Sequence, residues 1–268
     1  MNILFSIITV SYNSEKTIER TIQSILKQSY ENFEYIVVDG KSSDATISIV
    51  DSYLLKFNGR LRYISEPDSG IYNAMNKGIS RAKGDIVAIV NSDDWLENKA
   101  LQIVADNIQS HALNLKTPFL IAGQMNFHYD NGTIQVMKTN EKKYLYYAKL
   151  YRMGLNHPAT FVSRITYDTV GLFDENLKLY ADCDFILRCK KMNIQVCFLD
   201  DILTNMADGG ASNVYSSQGI KDRRYVLHKY ARNRMEYYSM LTSAYVIRFI
   251  ELLTPYSLKK LIRKRRNS

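Results

Sequence analysis

The sequence predicts an α/β fold organised around a doubly wound, mostly parallel β-sheet. In the first 100 residues, short runs rich in Ile and Val alternate with segments whose apolar residues repeat at helical spacing. The short runs are typical of buried parallel strands, and the repeats are typical of helices that pack on a sheet. This alternation fits a parallel sheet, because its strands need helical crossover connections. At 268 residues the chain can bury one full-sized core.

Four strands and three helices are predicted in this first part of the chain. The predicted strands cover residues 5–10, 35–38, 61–65 and 85–90. The predicted helices have Ile18, Ile22 and Ile25 on one face, then Ile47, Val50 and Leu54, and then residues 71–82. Asn13 or Ser14 can cap the first of these helices, since both residue types accept backbone hydrogen bonds at helix starts.

The second half of the sequence predicts a mixed sheet instead. Residues 120–129 and 133–138 flank Asp130-Asn131-Gly132, a strong hairpin signal. Further strands are expected at 158–162 and 195–199, with a helix at 182–192 between them. The pattern after Gly210 is helical and basic. We therefore expect one domain over residues 1–215, divided at about residue 100, followed by a helical basic extension over residues 216–268.

The composition indicates the kind of partner and compartment. A net charge of +8 and a pI near 9.2 suit anionic partners, which are nucleotides, nucleic acid or an acidic lipid surface. The three cysteines form no CxxC motif, as expected of reduced thiols in a cytosolic protein. We find no leader pattern and no apolar run of 18 residues, so neither a signal peptide nor a spanning helix is expected. Residues 257–268 alternate apolar and basic positions, which fits either an anionic membrane surface or a solubilising tail.

Polar clusters follow each of the four predicted strands of the first half. Asn13, Asp39, Asp68 and the pair Asp93-Asp94 stand at these positions. Ligands of open parallel sheets bind beyond the carboxyl ends of the strands, so the four clusters are expected to line one crevice. Each cluster alone could equally cap the helix that follows it.

The adjacent carboxylates of Asp93 and Asp94 need a counter-charge if they lie at one strand end. A hard divalent cation that also binds a diphosphate would supply it, whereas a solvated turn would need none. The first strand is not followed by a GxGxxG motif, and the chain contains no GxxxxGK[ST]. Their absence argues against a dinucleotide dehydrogenase and against a P-loop enzyme.

Four motifs in the first 100 residues give a more specific indication. They are Ile7-Ile8-Thr9-Val10-Ser11-Tyr12-Asn13, Tyr35 to Asp44, Ala82-Lys83-Gly84-Asp85 and Val90-Asn91-Ser92-Asp93-Asp94. In this order they resemble motifs of the family-two glycosyltransferases. The resemblance implies the GT-A fold, with a Rossmann-like nucleotide-binding half and a mixed acceptor-binding half. The segment from Glu66 to Gly78 resembles a subgroup of these enzymes that acts in bacterial surface-polysaccharide pathways.

The resemblance also implies roles for particular residues. The nucleotide-sugar site would comprise Thr9, Tyr12 and Asn13 at the nucleoside, Asp39 at the base or ribose, Asp68 at the nucleoside, Lys77 at the phosphates and Asp93 at the ribose or metal. Asp94 would ligate the metal, Mn²⁺ or Mg²⁺. Two motifs depart from the family pattern: Ser92-Asp93-Asp94 is not a strict DxD, and Asp39-Gly40-Lys41 lacks the second carboxylate of the commoner Asp-Asp-Gly. A solvated helix face is the alternative for Lys77.

The catalytic base of the family lies in a Glu-Asp pair that opens a helix in the second half. The matching residues here are Ala181 and Asp182, so the resemblance assigns the base to Asp182. Asp182 also falls on the stripe of Phe185, Cys189 and Met192, which is expected to face inward. An N-cap is its alternative role. His157 reads as a structural histidine, and residues 208–212 fit either a mobile segment over the diphosphate or an ordinary turn.

These observations predict a metal-dependent, inverting glycosyltransferase that transfers a hexosyl or N-acetylhexosaminyl group. The donor would be a nucleotide diphosphate sugar, with UDP favoured, and the acceptor a glycan or lipid-linked saccharide in bacterial polysaccharide or lipopolysaccharide biosynthesis. The protein would be cytoplasmic, on the inner face of the cytoplasmic membrane through its basic C-terminus, and would bind no nucleic acid. Two alternatives remain open at this point: a nucleotidyltransferase and a non-enzymatic basic module that binds membrane or nucleic acid.

Overall fold

The computed structural model describes residues 2–209 and 216–242. These residues form one nine-stranded sheet with helices on both faces. The strands are β1 (Phe5–Ser11), β2 (Phe33–Asp39), β3 (Leu61–Ser65), β4 (Ile86–Ile89), β5 (Trp95–Leu96), β6 (Phe119–His128), β7 (Ile134–Met137), β8 (Thr160–Ser163) and β9 (Gln195–Ala207).

Eight α-helices have both ends within the described residues. They are α1 (Ile18–Leu26), α2 (Thr46–Tyr53), α3 (Ile71–Arg81), α4 (Ala100–Ser110), α5 (Glu141–Lys149), α6 (Arg164–Val170), α7 (Ala181–Lys191) and α8 (Ser217–Tyr230). Another helix begins at residue 234. The model contains no helix within its described residues that is long and apolar enough to cross a bilayer.

The first half of the sheet is parallel, as predicted. Its strands lie in the order β3-β2-β1-β4, and each neighbouring pair is parallel. The fully buried strands β1 and β4 are apolar on both faces, which explains their continuous Ile and Val runs. Because all four strands point the same way, their carboxyl ends and the polar loops that follow them share one edge.

The second half of the sheet is mixed, also as predicted. β8 joins β4 and β6 in antiparallel pairs, β9 is parallel to β6, and β5 and β7 pair at the margins in antiparallel fashion. Of the nine strands within the described residues, six therefore run in one direction. The predicted hairpin forms, with β6 and β7 in register from Met125 opposite Met137 to His128 opposite Ile134. The GT-A expectation of a parallel half and a mixed half is confirmed.

Two apolar layers form on opposite faces of the sheet, because successive side chains of a strand point to opposite faces. In β1, Phe5 and Ile7 pack in one layer, while Ile8 and Val10 pack in the other. Helices α1, α2 and α4 contribute to the first layer, and helices α3, α6 and α7 contribute to the second. Burying each side chain of this size stabilises the fold by about 1.5–3 kcal/mol. The stable sheet in turn fixes the positions of the loops at its edge.

The start of α1 differs from the sequence prediction. The helix begins at Ile18 with Thr17 as its cap residue, and neither Asn13 nor Ser14 caps it. Asn13 instead adopts a left-handed backbone with φ of 48°, a conformation that Asn tolerates better than most residues. Its side chain turns to the loop after β2. Residues 12–17 therefore belong to the loop at the sheet edge.

Helix α8 packs against the second half of the sheet domain. Val226 and Leu227 are fully buried, and Asp222 accepts the backbone amides of Lys178 and Leu179 ahead of α7. Arg223 donates to the carbonyl oxygens of Leu150 and Tyr151. The division of the chain at residues 100 and 215 stays a prediction, and the basic segment 257–268 lies outside the described residues.

Candidate active site

Direct hydrogen bonds join the loops after β1, β2 and β4 at the carboxyl edge of the sheet. The Gly40 amide donates to the Ser11 carbonyl over 2.8 Å, and the Ser43 amide donates to the Asn13 side-chain oxygen over 2.9 Å. The hydroxyls of Ser14 and Ser92 lie 2.8 Å apart. The sequence prediction that these polar clusters meet in one crevice therefore agrees with their contacts.

Asp39 ties together the ends of β1, β2 and β3. Its carboxylate accepts hydrogen bonds from the hydroxyls of Ser11, Ser42 and Ser65 and from the Ser42 amide. The side chain is fully buried. A carboxylate offers about four lone-pair positions, and these four donors occupy them. In this structure Asp39 organises the crevice from beneath through donors of three separate segments.

Asp68 is the carboxylate that reaches the crevice from the loop after β3. A Cβ atom added to Gly40 would lie 2.6 Å from Asp68 Oδ2 and 3.3 Å from the Tyr12 ring. Gly40 therefore lets Asp68 approach closely. The other oxygen of Asp68 accepts from the Gly70 amide over 2.9 Å. Tyr12 is 66% exposed beside it, and a tyrosine ring is suited to stack on a base.

The side chains of Lys77 and Thr9 contact other groups of the protein and do not point into the crevice. The Lys77 ammonium donates to the Pro67 carbonyl at 2.8 Å and pairs with Glu66 at 3.0 Å, so it fixes the loop that holds Asp68. Thr9 is fully buried within β1, where its hydroxyl accepts from the Tyr35 hydroxyl at 3.0 Å. Both side chains are therefore engaged within the protein itself.

Asp94 is a buried carboxylate with an incomplete set of partners. Its Oδ2 accepts from the Asn91 side-chain amide over 3.1 Å, and the backbone amide of Ala207 also faces the carboxylate. The buried Oδ1 atoms of Asp94 and Asn91 make no close hydrogen bond among the described residues. Burial and the neighbouring charge of Asp93 raise the pKa of Asp94 to about 8. Buried polar atoms without partners are uncommon, and a bound ion or water at this position would satisfy both of these oxygens.

The donor set at the end of β4 fits a divalent cation. Carboxylate and amide oxygens are the ligands of Mg²⁺ and similar hard cations, which often bind to only one or two protein carboxylates plus substrate phosphates. Within residues 2–209 and 216–242, no group of three or more His, Cys, Asp or Glu side chains could hold a metal ion by itself. Asp94, Asn91 and Asp93 are therefore the protein groups that could hold such an ion, with room for ligands from a substrate.

Arg20 is a positive group in this region that sequence reasoning missed. Its guanidinium lies 3.7 Å above the Trp95 ring and donates to the Asp93 carbonyl over 2.8 Å. Burial lowers the pKa of Arg20, while the charges of Asp93 and Asp94 oppose this shift. Arg20 stands on an exposed position of α1, a position that sequence patterns do not distinguish from an ordinary solvated arginine.

Asp182 lies in the first turn of α7 and is half-buried. Its Oδ1 accepts from the Tyr72 hydroxyl at 3.1 Å and from the Cys183 amide at 2.7 Å. The cap residue of α7 is Tyr180, so the N-cap alternative for Asp182 does not hold. Burial lowers the pKa of His157, and the nearby charge of Asp182 opposes this shift.

Asp184, two residues later, has a different environment. It is fully buried and pairs with Arg188 at 2.9 Å and with Lys229 at 2.7 Å. The Tyr230 hydroxyl donates to the same carboxylate over 2.9 Å. Asp184 therefore links α7 to α8. The predicted inward stripe of α7 is only partly right, since Met192 is 49% exposed.

The parallel half-sheet and the polar loops at its carboxyl edge define an α/β fold of the kind that binds ligands beyond its strand ends. A model of glycosyl transferase family 2 matches residues 6–167, more than half of the chain. The chain therefore belongs to this family. The assignment favours a glycosyltransferase over a nucleotidyltransferase or a non-enzymatic module.

Relatives of the chain bear related names. A PGL/p-HBAD biosynthesis glycosyltransferase of Mycobacterium bovis is 29% identical over 188 residues, which are 69% of this chain and 69% of that protein.

Solved structures share the GT-A fold. TarS 1-349 of S. aureus in complex with UDP-GlcNAc superposes with a TM-score of 0.68 at 24% identity, covering 88% of this chain and 69% of that one. This chain covers only 41% of the length of a longer TarS structure. Mannosyltransferase PcManGT of Pyrobaculum calidifontis, in complex with GDP-Man and Mn²⁺, gives 0.62 at 16% identity, over 90% of this chain and 68% of that one.

Proposed function

We propose that this protein is a metal-dependent, inverting glycosyltransferase that uses a UDP-sugar as donor. The observation that carries the proposal is the buried carboxylate of Asp94, whose Oδ1 lacks a partner at the end of β4. The acceptor is a hydroxyl of a glycan or lipid-linked saccharide in a bacterial surface-polysaccharide pathway, and the enzyme works on the cytoplasmic side of the membrane. The complexes of TarS with UDP-GlcNAc and of PcManGT with Mn²⁺ support the donor class and the metal.

Base recognition falls to Asp68 and Tyr12 in this proposal. Asp39 already accepts from three serine hydroxyls and the Ser42 amide, whereas Asp68 Oδ2 faces the space beside Gly40 and Tyr12. A carboxylate there can accept the N–H of a uracil ring stacked on Tyr12. Asp39 then has an indirect role, because it holds the β1, β2 and β3 ends in register below the nucleoside.

The diphosphate lies near Asp94 and Asp93. Asp94 and Asn91 would hold a divalent cation, and its positive charge would offset the negative charge of the departing diphosphate. Arg20 stands beside the same carboxylates and adds a fixed positive charge to this end of the crevice. The protein side chains thereby hold the leaving group and the anomeric carbon in one place.

Asp182 is the general base. The acceptor hydroxyl oxygen forms a bond to the anomeric carbon while the bond from that carbon to the diphosphate oxygen breaks, and the hydroxyl proton passes to Asp182. The free oxygen for this step is Oδ2, because both donors to Asp182 found in the described residues bind Oδ1. A single displacement of this kind inverts the anomeric configuration.

The metal and donor assignments are tested together by ligand-dependent thermal shift. UDP, GDP and UDP-sugars are added to the wild type and to Asp94→Ala, each with Mn²⁺ and with EDTA. A ligand at 100 times its dissociation constant adds about 2.7 kcal/mol of stability, which is readily measured. We expect stabilisation by UDP ligands that needs Mn²⁺ and is lost in Asp94→Ala. Equal stabilisation in EDTA, or an unaffected Asp94→Ala, would refute the metal site.

A further inference from the structure

A tyrosine from the nucleotide-binding half reaches the carboxylate of α7. Tyr72 is the second residue of α3, and its hydroxyl donates to Asp182 Oδ1 over 3.1 Å across 110 positions of sequence. The backbone amides of Ala181 and Asp182 also face the Tyr72 oxygen. The start of α7, which lacks a side-chain cap of its own, is thus covered by Tyr72.

The Tyr72 side chain is fixed in place and stays a donor. It is 7% exposed, and its ring packs against Phe173 with centroids 5.5 Å apart. Asn76 of the same helix accepts the Phe173 amide and donates to the Phe173 carbonyl, which locks that partner onto α3. Burial first, and the charge of Asp182 second, raise the pKa of Tyr72 well above its usual range. The hydroxyl therefore keeps its proton near neutral pH and can act as a donor.

We propose that Tyr72 is the positioning residue for the general base: with the Cys183 amide, its hydroxyl holds Asp182 Oδ1 and thereby aims Oδ2 at the acceptor hydroxyl. The proposal rests on the base role given to Asp182 above. Two donors on one oxygen fix the plane of a carboxylate, since a single donor would leave it free to rotate. A base must lie within hydrogen-bonding reach of the proton it removes, so this orientation bears directly on turnover.

The same contact couples the base to the donor loop. Helix α3 begins directly after Gly70, and the Gly70 amide binds the Asp68 carboxylate. The Lys178 ammonium, ahead of α7, donates to the Ser69 carbonyl over 2.9 Å. Tyr72 and Lys178 therefore bridge the nucleoside-side loop and the start of α7 at two points. A donor whose nucleoside is held by that loop is thereby placed in register with the general base Asp182.

The other titratable groups around Asp182 are weak competitors for this role. His157 faces it from the turn before β8, and Tyr180 and Cys183 flank it on α7. Burial lowers the pKa of His157 and raises the pKa values of Tyr180 and Cys183, so all three are uncharged near neutral pH. Arg152 and Arg223 face Tyr180 and Cys183 at the same helix end. Tyr72 is the side chain whose hydroxyl donates to Asp182.

The kinetic test compares Tyr72→Phe with Tyr167→Phe. Tyr167 is equally buried, and its ring also packs against Phe173, at 6.1 Å. We expect Tyr72→Phe to lower kcat by about tenfold while the KM for the donor stays unchanged. The acid limb of its pH–kcat profile should move to higher pH, because the charged carboxylate loses a donor. A purely structural role would leave that profile in place. Wild-type kcat and profile in Tyr72→Phe overturn the proposal.

A second measurement decides the contact without activity. In protein labelled with ¹³C at tyrosine Cζ, a slowly exchanging hydroxyl gives separate resonances in mixed H₂O and D₂O. We expect Tyr72 to show this splitting in the wild type and to lose it in Asp182→Ala, while Tyr35, whose hydroxyl binds Thr9, keeps it. Splitting that survives in Asp182→Ala overturns the contact. A wild type that transfers no sugar refutes the proposed function, and the labelling result still decides the contact.

Discussion

Replacing Asp184 with Asn separates a structural carboxylate from a catalytic one on the same helix. Asp184 is 0% exposed and accepts from Arg188, Lys229 and Tyr230. The neutral side chain of Asp184→Asn keeps one acceptor oxygen but loses the charge that both cations face. We expect the variant to be less stable and nearly as active per folded molecule, since Asp184 points away from the crevice towards α8.

The size of the loss follows from how each cation is placed. Removing one partner of a buried ion pair costs about 3–5 kcal/mol when the other charge stays buried. Arg188 keeps its bonds to the carbonyl oxygens of residues 170–172, and the Lys229 side chain is 35% exposed and can turn to water. The cost should therefore lie at or below that range, at about 2–3 kcal/mol.

Chemical and thermal unfolding of Asp184→Asn measure this loss. For a domain of this size, about 2–3 kcal/mol corresponds to a fall in Tm of roughly 5–10 °C. The matched control is Asp168→Asn, because the Asp168–Arg164 pair is exposed and 4.0 Å long, and such pairs contribute at most about 1 kcal/mol. Equal Tm values for the two variants, or a loss of turnover in Asp184→Asn at full folding, would refute this reasoning.

Three further perturbations test separate parts of the account. Gly84→Ala should cost about 3 kcal/mol in urea unfolding, because its Cβ would lie 2.6 Å from the Ser6 amide nitrogen and 2.7 Å from the Leu4 carbonyl; wild-type stability would contradict this. Gly40→Ala should weaken UDP binding about tenfold by calorimetry, since Asp68 must move; unchanged affinity removes Asp68 from base recognition. Deleting residues 257–268 should lower flotation with anionic vesicles, and equal flotation rules out the membrane role.

The parallel half of the fold was predictable from local pattern. Strands buried on both faces read as continuous Ile and Val runs, so residues 5–10 and 85–90 were predicted to within one residue of each end of β1 and β4. Their carboxyl ends share one edge by topology, which is why the meeting of the polar loops after them was also predictable. The hairpin of β6 and β7 followed from its Asn-Gly turn.

The remaining features depend on pairing that a local pattern does not encode. β9 was predicted to end at residue 199, but it continues to Ala207, because pairing with β6 resumes beyond a register shift near Gln124. The exposed Asp200 and Asp201 hide this continuation in the sequence.

Individual site residues show the same limit. The donors that fill Asp39 come from three separate segments, and the position of Tyr72 on Asp182 depends on how α3 meets α7. Tyr72 lay within a recognised motif, yet nothing local marked it as a partner of the base. Only tertiary contacts show that Asp184, two residues after Asp182, is the carboxylate of α7 that is fully buried.

The central claim is that Asp182 removes the acceptor proton in a sugar transfer from a UDP-sugar. Turnover and UDP affinity of Asp182→Asn, measured beside the wild type on one saccharide acceptor with Mn²⁺, test it most directly. Asn is nearly isosteric with Asp and cannot take the proton, so we predict that kcat falls about 100-fold or more while UDP affinity stays close to wild type. Retention of most of the wild-type turnover by Asp182→Asn would contradict the account.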